Sequence, residues 1–116
     1  MKRQDAEKRG LWGERRAAWW LRLHGWRIIA MRAKVHIGEV DIIARRGRTT
    51  AFVEVKTRAT ASELDRAIDR NRLRRVAAAT NALAARYAKP GDDIRIDVIL
   101  IAPKCWPRHL INVWHG

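Results

Sequence analysis

Two short apolar runs with acids at alternate positions constrain this chain more than any other feature of its sequence. The first run is GEVDIIA (residues 38–44) and the second is AFVEVK (residues 51–56). Both have the composition and alternation of β-strands, and the Arg-Arg-Gly-Arg segment between them (residues 45–48) predicts a hairpin turn at Gly47. The two runs therefore predict a β-hairpin with acids and a lysine on it.

The length of the turn decides which of these charged side chains meet. A two-residue turn at residues 47–48 would set Asp41 opposite Glu54 and Glu39 opposite Lys56, whereas a four-residue loop would oppose Glu39 and Glu54. Either loop keeps the four side chains on one face, because strand side chains alternate. A three-residue loop without a bulge would not.

Two carboxylates that face each other across a strand pair repel, so a positive group is expected between them. Lys56, an arginine or a divalent cation could supply that charge. Mg²⁺ and Mn²⁺ prefer oxygen ligands, and Mg²⁺ is typically held by one or two carboxylates together with waters and phosphate oxygens. The spacing is therefore compatible with a metal-dependent nuclease site at Asp41 and Glu54, and also with an ordinary half-exposed hairpin covered by Glu–Lys pairs.

A further acid stands in the first predicted helix, residues 5–24, which Gly25 ends as a C′ residue. Glu14 lies inside the apolar stripe of this helix, formed at helical spacing with Leu11, Ala18 and Leu21. A buried carboxylate needs a partner. Glu14 either forms a salt bridge with an arginine or joins Asp41 and Glu54 as a third acid.

The charge of the chain predicts a polyanionic partner. Its 116 residues carry 25 Lys and Arg against 12 Asp and Glu, a net charge of +13, which favours nucleic acid or an anionic membrane. The arginines are spread along the chain, as expected for a folded basic surface. Candidate phosphate contacts are a helical row (Arg66, Arg70, Arg74), which could instead be a solvated helix face, the hairpin tip (Arg45, Arg46, Arg48) and Arg58.

Length and composition predict one domain over residues 1–116, because no Pro, Gly or Ser-rich linker and no repeat divides the chain. Residues 1–10 are charged and lack the apolar core of a signal peptide, and no apolar run is long enough to span a membrane. A cytoplasmic location without a membrane partner is expected. Cys105 is the single cysteine, which excludes an intramolecular disulfide.

The remaining elements predict an α-β-β-β-α-β order. Residues 26–32 form a first strand, and residues 62–88 a long helix opened by a capping-box-like Ser62 and Asp65. Residues 94–101 are so apolar that they predict a buried strand with layers on both sides, joined to the Glu54 strand by a parallel crossover. Residues 110–114 predict a short edge strand. The expected core stripe of the long helix comprises Leu64, Ile68, Val76, Ala79, Leu83 and Tyr87.

Four segments together resemble a known group of enzymes. They are GE (residues 13–14), GEVDIIA (38–44), FVEVKTR (52–58) and RIDV (95–98). The chain resembles the PD-(D/E)xK nuclease superfamily, and more closely the YraN-like family of predicted endonucleases related to archaeal Holliday-junction resolvases. The resemblance implies a restriction-endonuclease-like α/β core with a central mixed sheet flanked by helices. Val40 stands where the proline of the superfamily name would be.

The resemblance also implies roles for individual residues. Asp41 and Glu54 would be ligands of Mg²⁺ or Mn²⁺, with the Val55 carbonyl as a further ligand. Lys56 would orient or activate the attacking water and stabilise charge on the phosphate, and Glu14 would be an accessory acid. Relatives among the resolvases cut as dimers, so the resemblance suggests a homodimer.

The expected function is that of a metal-dependent endonuclease that hydrolyses DNA, including branched or distorted DNA. One alternative is a non-catalytic nucleic-acid-binding protein of the same fold. Another is an interaction protein whose acids form internal ion pairs. The roles of Glu39 and Asp97 stay open, since Asp97 could extend the site or be a buried acid bonded to backbone amides or an arginine.

Overall fold

The apolar runs of the sequence form the strands of one sheet, and the helical stripes cover its two faces. The computed structural model describes residues 3–64 and 67–115. In chain order the elements are α1 (Arg3–Leu23), β1 (Arg27–Val35), β2 (Gly38–Arg46), β3 (Thr49–Thr57), α2 (Ala61–Leu64), α3 (Arg70–Tyr87), β4 (Asp93–Ile101) and β5 (Arg108–Leu110).

The five strands form a mixed sheet in the order β1-β2-β3-β4-β5. The first three strands are an antiparallel meander, β4 is parallel to β3, and β5 pairs antiparallel with β4 at the edge. The chain between β3 and β4 contains α2 and α3, as a parallel crossover requires. The predicted fold class and crossover are confirmed, while the edge strand lies at residues 108–110 rather than 110–114.

The hairpin between β2 and β3 has the two-residue turn. Arg46 pairs with Thr49, and Gly47 has φ +60°. A positive φ at the first central residue suits the turn types that match the twist of antiparallel strands, and glycine adopts it without a Cβ clash. The even loop that keeps the acids of both strands on one face is therefore the one the chain forms.

Helices cover both faces of the sheet. Small residues of α1, Ala17 and Ala18, pack with Leu21 on one face, against buried residues of the central strands. The apolar stripe of α3 covers the opposite face, including Val76 and Leu83. Strand β4 contributes to both cores, which confirms the prediction of a buried strand with layers on each side. Its residues alternate between the α3 core (Ile96, Val98, Leu100) and the α1 core (Ile99, Ile101).

The single long helix predicted for residues 62–88 is wrong, because α2 ends at Leu64 and α3 begins at Arg70. Asp69 has extended dihedrals (φ −119°, ψ 118°), and its carboxylate accepts a hydrogen bond from the Asn71 amide, as an N-cap residue does. Ile68 consequently leaves the predicted core stripe and is 46% exposed. The capping-box Asp65 lies outside the described residues.

Candidate active site

Asp41 lies where strands β2 and β3 part. The backbone ladder between them runs from the turn to the Ile42–Val53 pair. Beyond that pair the Asp41 carboxylate, through Oδ2, accepts a hydrogen bond of 2.8 Å from the Val55 amide. A side chain thus replaces the backbone partner of Val55, which fixes the Asp41 carboxylate at the opening between the two strands.

The neighbouring acid, Glu54, makes this position electrostatically unfavourable for a second negative charge. Asp41 is 7% exposed and Glu54 is 2% exposed. Burial, the charge of Glu54 and a side-chain hydrogen bond with Glu54 raise the pKa of Asp41 to about 7. Two buried carboxylates that cannot both ionise freely are a common property of catalytic and metal-binding sites.

Arg72 supplies positive charge to this acid pair. Its Nε donates a hydrogen bond of 3.1 Å to Glu54 Oε2. Burial alone would lower the pKa of Arg72, but the charges of Glu54, Asp41 and Glu39 and the hydrogen bond to Glu54 raise it. An arginine is one of the sources of positive charge that the sequence allows, and Arg72 contacts Glu54.

Arg72 is a site residue that was not predicted, although the sequence contains a signal for it. Arg72 lies four residues before Val76 and eleven before Leu83, so it occupies the centre of the core stripe of α3. A charged residue in an apolar stripe is the same pattern that singled out Glu14. The predicted stripe passed over Arg72, although it lies four residues after Ile68 and four before Val76.

Helix α1 reaches the end of β3 through a glycine. A Cβ atom on Gly13 would lie 1.8 Å from Thr57 Oγ1 and 3.0 Å from Thr57 Cβ. Only a residue without a side chain allows this approach while Thr57 keeps its position. Gly13 therefore determines how closely the neighbouring Glu14 comes to the acid pair on the sheet.

Glu14 forms a salt bridge with Arg32 of β1. The guanidinium donates through Nε to Glu14 Oε1 at 2.7 Å and through Nη2 to Oε2 at 3.4 Å. This hydrogen bond raises the pKa of Arg32, with smaller contributions from the charges of Glu14, Glu39 and Asp41. Arg32 also has φ +52°, an uncommon backbone conformation for a residue with a side chain. The sequence predicted either a salt bridge with an arginine or a third acid beside Asp41 and Glu54, and it did not identify the arginine.

The predicted catalytic side chains line one open cleft of about 430 Å³, which we call the acid cleft. Lys56 lines it and is half-buried. Within residues 3–64 and 67–115, Lys56 has no carboxylate within ion-pair distance. Its ammonium is therefore available to a bound group. The lining residues are Gly10, Glu14, Asp41, Glu54, Val55, Lys56, Thr57, Arg58 and Arg72.

The donor set of the acid cleft suits a hard divalent cation. Asp41 and Glu54 offer carboxylate oxygens, and the raised pKa of Asp41 indicates that added positive charge would stabilise the pair. The described residues contain no group of three or more His, Cys, Asp or Glu side chains arranged to hold a metal ion. Such an ion would need backbone oxygen or water as further ligands, and the role of the Val55 carbonyl stays a prediction.

The hairpin arginines lie away from the acid cleft. Arg45 forms a two-pronged salt bridge with Asp92, with Nη2 2.9 Å from Oδ1. The Arg46 guanidinium stacks over the Trp26 ring at 4.6 Å and donates to the His24 carbonyl. At about 3.3 Å per residue along β2, Arg46 lies roughly 17 Å from Asp41. The idea that this tip, including Arg48, holds the strand being cut stays a prediction, and the three arginines do not line the acid cleft.

The other predicted phosphate contacts divide between the cleft and the surface. Arg58 lines the acid cleft and donates to the Thr57 carbonyl at 2.9 Å. Arg70 stacks over the Trp114 ring at 5.2 Å, and Arg74 is exposed. The prediction that Arg66, Arg70 and Arg74 form a row on one continuous helix is wrong, because α3 begins at Arg70. Arg66 lies outside the described residues.

Asp97, whose role was open, is a buried acid with a full set of donors. Its carboxylate accepts hydrogen bonds from Arg95, from His109 Nε2 at 2.8 Å and from the Asn112 amide at 2.9 Å. Burial alone would raise the pKa of Asp97, but these hydrogen bonds lower it below the usual value. Asp97 does not line the acid cleft, so it does not extend the site.

Comparison with known proteins assigns the family. The family model described as "Uncharacterised protein family UPF0102" matches residues 13–101. The chain belongs to the UPF0102 family. It is 65% identical over 114 residues to a UPF0102 protein of Sphingopyxis alaskensis, covering 98% of each chain, and 60% identical over 114 residues to one of Erythrobacter litoralis, again covering 98% of each.

A solved structure of similar fold confirms the α/β core of this UPF0102 protein, with its central mixed sheet flanked by helices. It is Hjc of Archaeoglobus fulgidus, a Holliday junction resolvase, with TM-score 0.54 and 20% sequence identity. The match covers 84% of this chain and 72% of the resolvase. At this identity the likeness establishes the fold. Among the described residues, none of the helices has the length and apolarity needed to span a membrane.

Proposed function

We propose that this UPF0102 protein is a Mg²⁺ or Mn²⁺ dependent endonuclease that hydrolyses DNA phosphodiester bonds, including those of branched or distorted DNA. The observation that carries the proposal is the buried pair of Asp41 and Glu54, which faces an open cleft in a chain of net charge +13. Acids beside a phosphate-binding surface weaken binding unless a cation bridges them, so their position favours chemistry over adhesion.

In this proposal the carboxylates of Asp41 and Glu54 and the carbonyl of Val55 hold the divalent ion. A bound ion of this kind lowers the pKa of a coordinated water and neutralises charge on the phosphate. Lys56 donates hydrogen bonds to the attacking water or to a phosphate oxygen. Glu14, held by Arg32, is the accessory acid at the edge of the cleft.

The amide of Val55 fixes the orientation of the Asp41 carboxylate. Because this amide donates to Asp41 Oδ2, the carboxylate cannot rotate freely, and its other oxygen keeps a fixed direction. Fixed ligand direction is what distinguishes a working metal site from a loose cluster of acids. In this proposal Arg58 and Arg72, which line the same cleft, contact the phosphate being cut.

A non-catalytic nucleic-acid-binding protein of the same fold is the second candidate. The observation in its favour is that Glu54 and Glu14 already have arginine partners, Arg72 and Arg32. These salt bridges would stabilise the acids without a metal. A cytoplasmic location and a homodimeric assembly are part of the proposal under either candidate, and sedimentation of the protein with and without DNA tests the assembly.

A cleavage panel tests the two candidates. Duplex, single-stranded, flap and four-way DNA substrates are incubated with and without Mn²⁺, using the wild type and Asp41→Asn. We expect wild-type cleavage that depends on metal, its loss in Asp41→Asn, and DNA affinity that holds or rises as one negative charge leaves a basic surface. Asp93→Asn, which changes an exposed acid at the start of β4, is the matched control and should cut normally.

Two outcomes would contradict the endonuclease. Unchanged cleavage by highly purified Asp41→Asn protein would show that the activity comes from another site or another protein. A wild type that binds DNA but cuts none of the substrates with Mn²⁺ or Mg²⁺ would favour the non-catalytic candidate.

A further inference from the structure

A second cleft lies beside the acid cleft and shares Arg72 with it. It has a volume of about 310 Å³, and we call it the basic cleft. Three cations line it, Lys34 from the end of β1 and Arg72 and Arg75 from the first turns of α3. One acid, Glu39, lines it as well, and it stands directly across the strand pair from Lys34. The lining therefore carries an excess of positive charge.

The basic cleft is formed by close contact between the β1–β2 hairpin and α3. A Cβ on Gly38 would make ordinary van der Waals contact with α3, at 3.4 Å from the Arg75 carbonyl oxygen and 3.7 Å from Ala79 Cβ, so the hairpin backbone lies within about one methyl group of the helix. This packing brings Lys34 and Arg75 to the lining of one cleft. Two elements distant in sequence thus bring their cations together.

Two of the three cations that line the basic cleft, Lys34 and Arg75, form no ion pair with a described residue. In the part of the chain that the structure describes, neither Lys34 nor Arg75 has a carboxylate within ion-pair distance, and both side chains are exposed. Arg72 differs, because its Nε contacts Glu54 in the acid cleft. Arg72 is therefore the physical link between the two clefts.

We infer that the basic cleft binds one backbone phosphate of the nucleic-acid strand whose neighbouring segment enters the acid cleft. This inference rests on the proposed function, and it names the path of the strand across the protein, from Lys34 and Arg75, past Arg72, to Asp41 and Glu54. Lysine and arginine are the usual ligands of backbone phosphates, and contacts of this kind fix the position of a nucleic acid without reading its sequence.

The test compares the salt dependence of duplex DNA binding for two double variants in the Asp41→Asn background, where no cutting interferes. Lys34→Ala with Arg75→Ala removes two cations from the basic cleft. Arg86→Ala with Lys89→Ala removes the same charge from the exposed far end of α3 and its following loop. Thermal melting of both proteins checks that they fold, which exposed positions should permit.

We expect the basic-cleft variant to lower the magnitude of the slope of log affinity against log salt by about 0.9, the value for one lost phosphate contact on duplex DNA. The control pair should leave the slope unchanged. Equal slopes for the two double variants would overturn the inference. Inorganic phosphate should displace DNA from the protein no better than chloride does at equal ionic strength. Stronger displacement by phosphate would mean that the cleft binds free phosphate instead, and would overturn the inference.

The outcome is separable from the proposed function, because the assay measures binding by protein that does not cut. If the wild type proves inactive, a slope change confined to the basic-cleft variant still supports the phosphate site. If the wild type cuts DNA and the slope does not change, the strand reaches Asp41 by another path.

Discussion

Asp41 and Asp97 are both buried aspartates on central strands, and they have opposite electrostatic properties. Asp97 receives hydrogen bonds from two side chains and a backbone amide, and its pKa is lowered. Asp41 receives one backbone amide, faces Glu54, and has its pKa raised to about 7. The fold satisfies one acid fully and leaves the other in need of positive charge.

The difference separates a structural acid from a functional one. A protein that needed a carboxylate only for stability would surround it with donors, as it does Asp97. An acid left partly unsatisfied beside a second acid reduces stability, and such positions cluster at catalytic and ligand-binding sites. The contrast predicts different responses of the two positions to mutation, pH and helix packing.

The largest effect is expected at Asp97. Asp97→Asn removes the charge that Arg95 and His109 contact and leaves Arg95 without its buried partner, which should lower the free energy of unfolding by about 3–5 kcal/mol. Asp41→Asn, without divalent metal at neutral pH, should not destabilise the protein. Urea unfolding of both variants measures this, and an equal loss in the two would remove the distinction between them.

The pH dependence of stability should distinguish the same two acids. Because the pKa of Asp41 in the folded protein, about 7, lies above its ordinary value of 3.8, protonated Asp41 favours the folded state at low pH. This contribution is lost as the pH rises from about 4 to 7. At about 1.4 kcal/mol per pKa unit it amounts to a few kcal/mol.

Unfolding of the wild type and Asp41→Asn in a chelator, measured from pH 4 to 8, isolates this contribution. As the pH rises over this range, the free energy of unfolding of the wild type should fall relative to that of Asp41→Asn. Adding Mn²⁺ at the upper end of the range should restore the stability of the wild type. Parallel curves would mean that Asp41 is as well satisfied as Asp97.

The smallest effect concerns the approach of α1 to the site. Gly13→Ala introduces a contact too short for Thr57 to accept in place and should cost about 1–3 kcal/mol, while weakening Mn²⁺ binding by displacing Glu14. Gly10→Ala, in the same helix with open space around it, should stabilise the protein by about 0.5–1 kcal/mol. Calorimetry with Mn²⁺ and thermal unfolding would measure both effects.

Gly13→Ala and Gly10→Ala also test whether the Asp41 site depends on α1 while the Asp97 cluster does not. The Asp97 cluster is built from β4 and the chain around β5, and the described side chains of α1 donate no hydrogen bond to Asp97. A Gly13→Ala protein that loses stability but binds Mn²⁺ as the wild type does would mean that the metal site does not depend on the position of α1.

Much of this arrangement could be predicted from the sequence, because it depends on local patterns. Glycine at residue 47 set the two-residue turn. Strand alternation then predicted that Asp41 and Glu54 come together, and both line the acid cleft. The apolar run of β4 predicted a strand buried on both sides. Glu14 was identified because it interrupts an apolar stripe.

The parts that could not be predicted depend on long-range contacts or on a local choice between two helix starts. Asp69 caps α3 by accepting a hydrogen bond from the Asn71 amide. The spacing of the apolar residues is the same for a helix that begins after Asp69 and for one that begins at Ser62, so it does not distinguish them. The pairing of Arg32 with Glu14 joins residues eighteen apart through the packing of α1 on β1. The donors to Asp97 come from two strands and a loop that meet only in the folded protein.

The most direct test of the account is the position of a bound metal ion. Crystals of the wild-type protein soaked in Mn²⁺ should show an anomalous-scattering peak between the Asp41 and Glu54 carboxylates, with Arg72 displaced from Glu54 and no peak beside Asp97. A peak of this kind that disappears in Asp41→Asn would support the central claim. A wild-type crystal with no peak at the pair, with Arg72 still bonded to Glu54 at saturating Mn²⁺, would contradict it.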